Sequence, residues 1–169
     1  MDSTIPAIFQ DTQPLLPVEE NEGAADINEI CDHLYLGSKQ AAYNRTALEV
    51  FEIKSVLVVG EELECKFIED RTLCYKKLPI IDDEEFDITA YLNEGVEFVE
   101  RAIAEKTNVL VHCRAGRSRS ASFVIAYLMK SLNLSYEDAF KYAFSKRRCV
   151  MPNDGFIKHL KEFNKKQDQ

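Results

Sequence analysis

The spacing of apolar residues changes several times along the chain, and the changes predict alternating strands and helices. Ile30 to Leu36 has strand character and stops at Gly37. Thr46 to Ile53 is a short helical stretch, followed by the continuous run Ser55-Val56-Leu57-Val58-Val59, which Gly60 halts. A run that is apolar on both faces suits a strand buried inside a parallel sheet. Cys74 to Ile80 is another strand candidate, and Val109-Leu110-Val111 a third buried one. Between them, Ile88 to Ala104 places Tyr91, Leu92, Val96, Val99 and Ile103 on one side of a helix. Three helices follow, over about 119–130, 135–146 and 154–165. Ser135 caps the second, with Glu137 and Asp138 in its first turn. Asn153, after Pro152, caps the third. The expected fold is α/β, with helices on both faces of the sheet.

The first 25 residues break this pattern. They carry three prolines, an acidic run (Glu19, Glu20, Glu22) and little periodicity, and they predict a mobile acidic tail. Its apolar residues Ile8, Phe9, Leu15 and Leu16 offer a docking segment for a partner, as the alternative to a plain extension. The folded domain is expected over 26–166, with 167–169 as a short C-terminal tail.

Composition narrows the function classes. A length of 169 residues suits one domain, and a hydrophobic fraction of 46% supplies an ordinary core. The net charge of −8 speaks against a nucleic-acid binder or a binder of anionic membranes, yet leaves room for a small basic pocket on an acidic body. No apolar run approaches the roughly 18 residues of a membrane span. Residue 2 is Asp rather than Gly and the chain ends QDQ, so no lipid anchor is expected. The odd count of five cysteines, with no secretory pattern at the N-terminus, predicts free thiols in a reducing cytoplasmic or nuclear setting. Cys31, Cys65, Cys74 and Cys149 lack metal-ligand spacing. They are expected to be plain buried thiols, a protective disulfide to Cys113 being the alternative, and no metal or cofactor is expected. Lys146-Arg147-Arg148 is expected on a solvated face, and His33 and His159 as surface or packing residues.

The candidate chemistry lies in Val109 to Ala121, VLVHCRAGRSRSA. A buried strand delivers His112-Cys113 into a loop containing Gly116, and a helix starts directly after it. Backbone N–H groups between a strand end and a helix N-terminus converge on one point and form an anion nest, to which the helix dipole adds positive charge. Cys113 sits where that field favours the thiolate, and Arg119 can fold back to offer two phosphate oxygens a planar fork. The spacing HCxxGxxR followed by Ser or Thr arises by chance on the order of 10⁻⁵ times per chain of this length.

His112-Cys113-Arg114-Ala115-Gly116-Arg117-Ser118-Arg119-Ser120 resembles the signature loop of protein tyrosine phosphatases. The Ser-Arg-Ser-Ala ending and Ala126-Tyr127-Leu128-Met129 are similar to the dual-specificity branch. Leu34-Tyr35-Leu36-Gly37-Ser38 resembles that branch's opening strand and turn, and Pro152-Asn153-Asp154-Gly155-Phe156 a segment whose Asn steadies the loop. The resemblance implies a twisted, mostly parallel sheet of about five strands. It makes Cys113 the nucleophile, Arg119 the phosphate clamp and residues 114–119 the phosphate-binding loop. By the same resemblance Ser120 helps the thiolate leave, His112 tunes the thiolate through the loop backbone, and Asn153 supports the loop. A helix-capping role for Ser120 stands beside the one implied.

A leaving alkoxide or phenoxide needs a proton, and the run Ile80-Ile81-Asp82-Asp83-Glu84-Glu85-Phe86-Asp87-Ile88 supplies the candidates. Spacing does not choose between Asp82 and Asp83. The resemblance does: the family's acid stands six residues before an apolar helix-entry position, here Ile88, which gives Asp82. The other acids are expected to form a solvated capping cluster. The implied substrates are phosphotyrosine, phosphoserine and phosphothreonine of proteins, because a chain this short has no room for pocket-deepening insertions. Arg114 and Arg117 are extra cations that lipid-directed relatives also carry, so a phosphoinositide or other lipid phosphate is the alternative. A phosphate-binding scaffold without turnover is the second alternative.

Overall fold

The computed structural model describes residues 25–167, with side chains through 163; the tails expected over 1–25 and 167–169 fall almost wholly outside the described residues. The elements in chain order are β1 (Ile27–Cys31), β2 (Leu34–Gly37), α1 (Lys39–Ala42), α2 (Arg45–Val50), β3 (Ile53–Val59), β4 (Cys74–Leu78), α3 (Thr89–Ala104), β5 (Asn108–His112), α4 (Arg119–Ser131), α5 (Tyr136–Lys146) and α6 (Asp154–Gln167).

The five strands form one sheet in the order β1-β2-β5-β3-β4. β2, β5, β3 and β4 run parallel, and β1 adds an antiparallel edge. The mostly parallel α/β sheet implied by the resemblance is therefore present. Some boundaries differ: the helix expected over Thr46 to Ile53 ends at Val50, with Ile53 opening β3, the strand from Cys74 ends at Leu78, and Ile30 to Leu36 is not one strand but the corner of a hairpin. His33 takes a φ of 67°, a left-handed turn residue that reverses the chain between β1 and β2. Its ring is held by Asn108, with Nδ1 2.7 Å from Oδ1. The four-residue α1 has no counterpart in the hydrophobic pattern, being too short to show a period.

Val56 to Val59 and Val109 to Val111 are fully buried, so both faces of the central strands are covered. Helices α3 to α6 pack against one another, with α3 and α4 against the sheet. α1 and α2 form a shorter cover over β2, β3 and β5. α4 is the core helix, buried from Arg119 to Met129.

β5 is central, flanked by the carboxyl ends of β2 and β3. In open α/β sheets, ligands bind outside such carboxyl ends. The segment Cys113–Ser118 between β5 and α4 lies there.

Candidate active site

The loop leaving β5 is held from behind by its carbonyls. The carbonyl oxygen of Arg114 accepts from Lys39 N–H at 3.0 Å, that of Arg117 from Met151 N–H at 2.7 Å, and that of Ser118 from Ser122 N–H at 2.9 Å. Arg147 takes the two between them: its Nε donates to Gly116 O at 2.9 Å and its Nη2 to Ala115 O at 3.1 Å. With C=O groups turned outward, the N–H groups on the other side of those peptide planes turn inward, toward Cys113. Gly116 N–H accordingly donates to Cys113 Sγ at 3.2 Å. Gly116 takes a φ of 64°, and a Cβ there would fall 2.5 Å from Gly37 O, so both its torsion and its neighbour require glycine.

Cys113 is 3% exposed at the base of a cavity of about 490 Å³. Its sulfur also accepts from Ser120 Oγ at 3.0 Å. The Ser120 hydroxyl is thus spent on the sulfur rather than on a helix cap. His112 stands beneath, fully buried, and its Nδ1–H donates to Cys113 O at 3.1 Å. Burial pushes the His112 ring down to about 4, the bond to Cys113 O opposing this and the Arg119 charge adding to it, so the imidazole is neutral around pH 7.

Arg119 opens α4 and lines the same cavity. Its Nη1 donates to both Glu62 carboxylate oxygens, at 2.8 and 2.7 Å, while its Nε is buried with no protein partner. Burial pushes the Glu62 carboxyl up, but the Arg119 hydrogen bond and charge outweigh it and hold the group below its usual range. One edge of the guanidinium is fixed by Glu62, leaving Nε unpaired for a ligand.

Asp82 comes from the β4–α3 connection and lines the cavity opposite. Its Oδ1 accepts from Ser118 Oγ at 2.9 Å and from Asn153 Nδ2 at 3.0 Å. Asn153 supports the loop through its backbone N–H, which donates to Ser118 Oγ at 3.0 Å, while its Oδ1 caps α6 on Phe156 N–H at 2.9 Å. Its side chain therefore ties Asp82, rather than the loop, to α6. Asp83 turns away to accept from Glu85 N–H at 2.8 Å, and Asp87 caps Thr89 at 2.8 Å. Arg114 and Arg117 are exposed on the cavity rim with Ala115 and Met151, and the buried Pro152 also lines the cavity.

Two expectations need correction. Arg147 is not on a solvated face: it is 4% exposed, its Nη1 pairing with Asp26 at 2.7 Å and Asn28 at 2.8 Å. Lys146 and Arg148 do face solvent. The signal for Arg147 lay in the helix period, since it continues the buried stripe of Ala139 and Ala143 by one more turn. The spare cysteines are free thiols but not buried ones, with Cys74 exposed on edge strand β4 and Cys31, Cys65 and Cys149 partly exposed. An edge strand leaves alternate side chains uncovered. Glu62 was not foreseen; nothing but its place just after the Gly60 stop distinguishes it from neighbouring acids. Among the described residues no cluster of His, Cys, Asp or Glu could hold a metal ion, and no helix is long and apolar enough to cross a membrane.

Arg147→Met preserves length but strands two loop carbonyls and leaves Asp26 unpaired. It is expected to cost about 3 kcal/mol in urea unfolding and to weaken binding of an oxyanion such as tungstate at the loop. Stability should also depend on His112. The unfolded ring gains its proton near pH 6.5 and the folded ring only near 4, so stability present above pH 6.5 is lost as the pH falls. Urea unfolding should show a loss of about 2 kcal/mol between roughly pH 6.5 and 5, and a shallower slope in His112→Gln.

Residues 34–166 match the dual specificity phosphatase catalytic domain. Dual specificity protein phosphatase 1B of Arabidopsis thaliana is 38% identical over 144 residues, covering 85% of each chain. Dual specificity protein phosphatase MPK-4 of Drosophila melanogaster is 38% identical over 157 residues, 92% of this chain but 41% of that longer protein. The crystal structure of human DUSP28 superposes with a TM-score of 0.80 at 27% identity, over 86% of this chain and 97% of that one. The chain belongs to the dual specificity phosphatase family and is a cysteine-dependent phosphatase of the protein tyrosine phosphatase superfamily.

Proposed function

We propose that the protein removes phosphate from phosphotyrosine, phosphoserine and phosphothreonine side chains of proteins through a phosphocysteine intermediate. A phosphate monoester enters the cradle with its non-bridging oxygens on the inward amides of residues 115–119 and on Arg119. The Cys113 thiolate attacks phosphorus in line, the S–P bond forms as the ester P–O bond breaks, and the leaving oxygen takes a proton from Asp82. Both hydrogen bonds to Asp82 fall on Oδ1, which leaves Oδ2 to carry that proton. In the second step Asp82 takes a proton from water, the resulting oxygen attacks phosphorus, and the S–P bond breaks to release inorganic phosphate. The Ser120 hydroxyl, already on the sulfur, stabilises the departing thiolate. The amides and Arg119 hold the charge of the transferring phosphoryl group throughout.

The observation that carries this reading is the convergence of Cys113, Arg119 and Asp82 on one cavity. Their retention also speaks against a scaffold without turnover. The protein substrate rests on family membership and on the acidic residues Asp82, Glu84 and Asp154 at the cavity, which oppose a polyanionic headgroup. Arg114 and Arg117 on the rim are the specific feature that favours a lipid phosphate instead.

Turnover of an aryl phosphate should persist in EDTA and vanish in Cys113→Ser. Asp82→Asn should lower kcat for poor leaving groups by about a hundredfold, while Asp83→Asn stays within about threefold of wild type. Phosphopeptides should be hydrolysed with a higher kcat/KM than phosphoinositide vesicles under the same conditions. The reverse preference would transfer the assignment to lipids.

A further inference from the structure

The loop that carries Asp82 is seated on the start of α6 at successive points. Asp82 Oδ1 meets Asn153 Nδ2 at 3.0 Å. Two residues on, the Glu84 carbonyl lies against Gly155 so closely that a Cβ there would fall 1.9 Å from Glu84 O and 2.7 Å from its carbonyl carbon. At the far end, His159 Nε2 stands 3.9 Å from Asp87 Oδ1, its ring mostly buried and its Nδ1 without a partner. Gly155 and His159 are one helical turn apart and face the same loop.

The loop is also stiff in itself. Asp83 Oδ1 holds Glu85 N–H at 2.8 Å, Asp83 O holds Phe86 N–H at 3.1 Å, and Asp87 Oδ1 holds both Thr89 N–H and its hydroxyl. Phe86 stacks on Tyr91 with ring centres 6.2 Å apart. These contacts tie residues 83–89 to one another, so the seat of the loop on α6 bears on its height above the cradle. Gly155, the second residue of α6, does not take a positive φ, so backbone freedom does not account for it. Close approach does.

We propose that Gly155 is a positioning residue for the general acid, with His159 as a second support: together they let the acid loop sit down on α6 so that Asp82 is already over the cradle before substrate arrives. This rests on Asp82 being the acid. Restoring ordinary contact at an added Cβ would lift the Glu84 carbonyl by about 1.5 Å, and displacements of about 1 Å at a reacting group cost up to roughly a hundredfold in rate. That lift would also break the Asn153–Asp82 hydrogen bond. The loss is specific to substrates that need a proton.

The test compares kcat for phenyl phosphate, a poor leaving group, with kcat for dinitrophenyl phosphate, whose phenoxide leaves without one. Gly155→Ala should lower the first at least about tenfold and the second less than about threefold, with KM little changed. His159→Ala should shift the ratio the same way, by about threefold. Adding Gly155→Ala to Asp82→Asn should change neither rate, because the acid it positions is gone. A Gly155→Ala enzyme with the wild-type ratio, or one that loses both substrates equally, overturns the proposal. If that variant fails to fold, His159→Ala with an unchanged ratio does the same. Should Asp82→Asn itself leave phenyl phosphate turnover intact, the acid assignment fails rather than the seat.

Discussion

The outward turn of the carbonyls from Arg114 to Ser118 is the constraint on which the site depends. A peptide plane cannot present its N–H to an anion unless its C=O has somewhere else to go, and a buried carbonyl without a partner costs about 1–3 kcal/mol. Here the partners come from β2's exit, α4's first turn, the α5–α6 connection and, for two successive carbonyls, one buried guanidinium. Arg147 is itself neutralised by Asp26 at the start of the sheet. Burial pushes the Asp26 carboxyl up, and the Arg147 hydrogen bond and charge more than offset that, so the pair is ionised. The anion cradle is thus built from behind by a cation that never meets the ligand.

The remaining groups arrive from elements distant in sequence and meet at the sheet's carboxyl edge. Glu62, just after β3, fixes one nitrogen of Arg119. Asp82 comes from beyond β4, and α6 supplies Asn153 beneath it. Glu62 and Asp82 are each matched to a cation or donors, so these two carboxylates stand beside a compact anion site without neutralising it. The neutral His112, deep under the loop, adds a hydrogen bond to Cys113 O and no charge.

Much of this was legible in the sequence. Continuous apolar runs marked β3 and β5 because both faces of a central strand are buried, a helical period marked α3, and cap residues marked the starts of α5 and α6. HCRAGRSRS singled out Cys113 and Arg119, which line one cavity, because an anion nest needs strand, glycine turn and helix start in close succession. The hairpin at His33 escaped because its turn depends on a left-handed residue that is not glycine. Arg147 was misplaced because a charged triplet suggests a solvated face, although its own period put it on the buried stripe. Glu62 and the Gly155 contact were invisible for a different reason: each is defined by a partner far along the chain, and neither leaves a local pattern.

The central claim is that the Cys113 sulfur, within those inward amides, becomes covalently bonded to phosphorus. Rapid acid quenching of a slowed Ser120→Ala enzyme during turnover, followed by peptide mass spectrometry, tests it directly. The account predicts one phosphoryl group on the peptide containing Cys113, and none when Cys113 is replaced by Ser. Phosphate on another residue, or turnover with no phosphoenzyme at all, would contradict it.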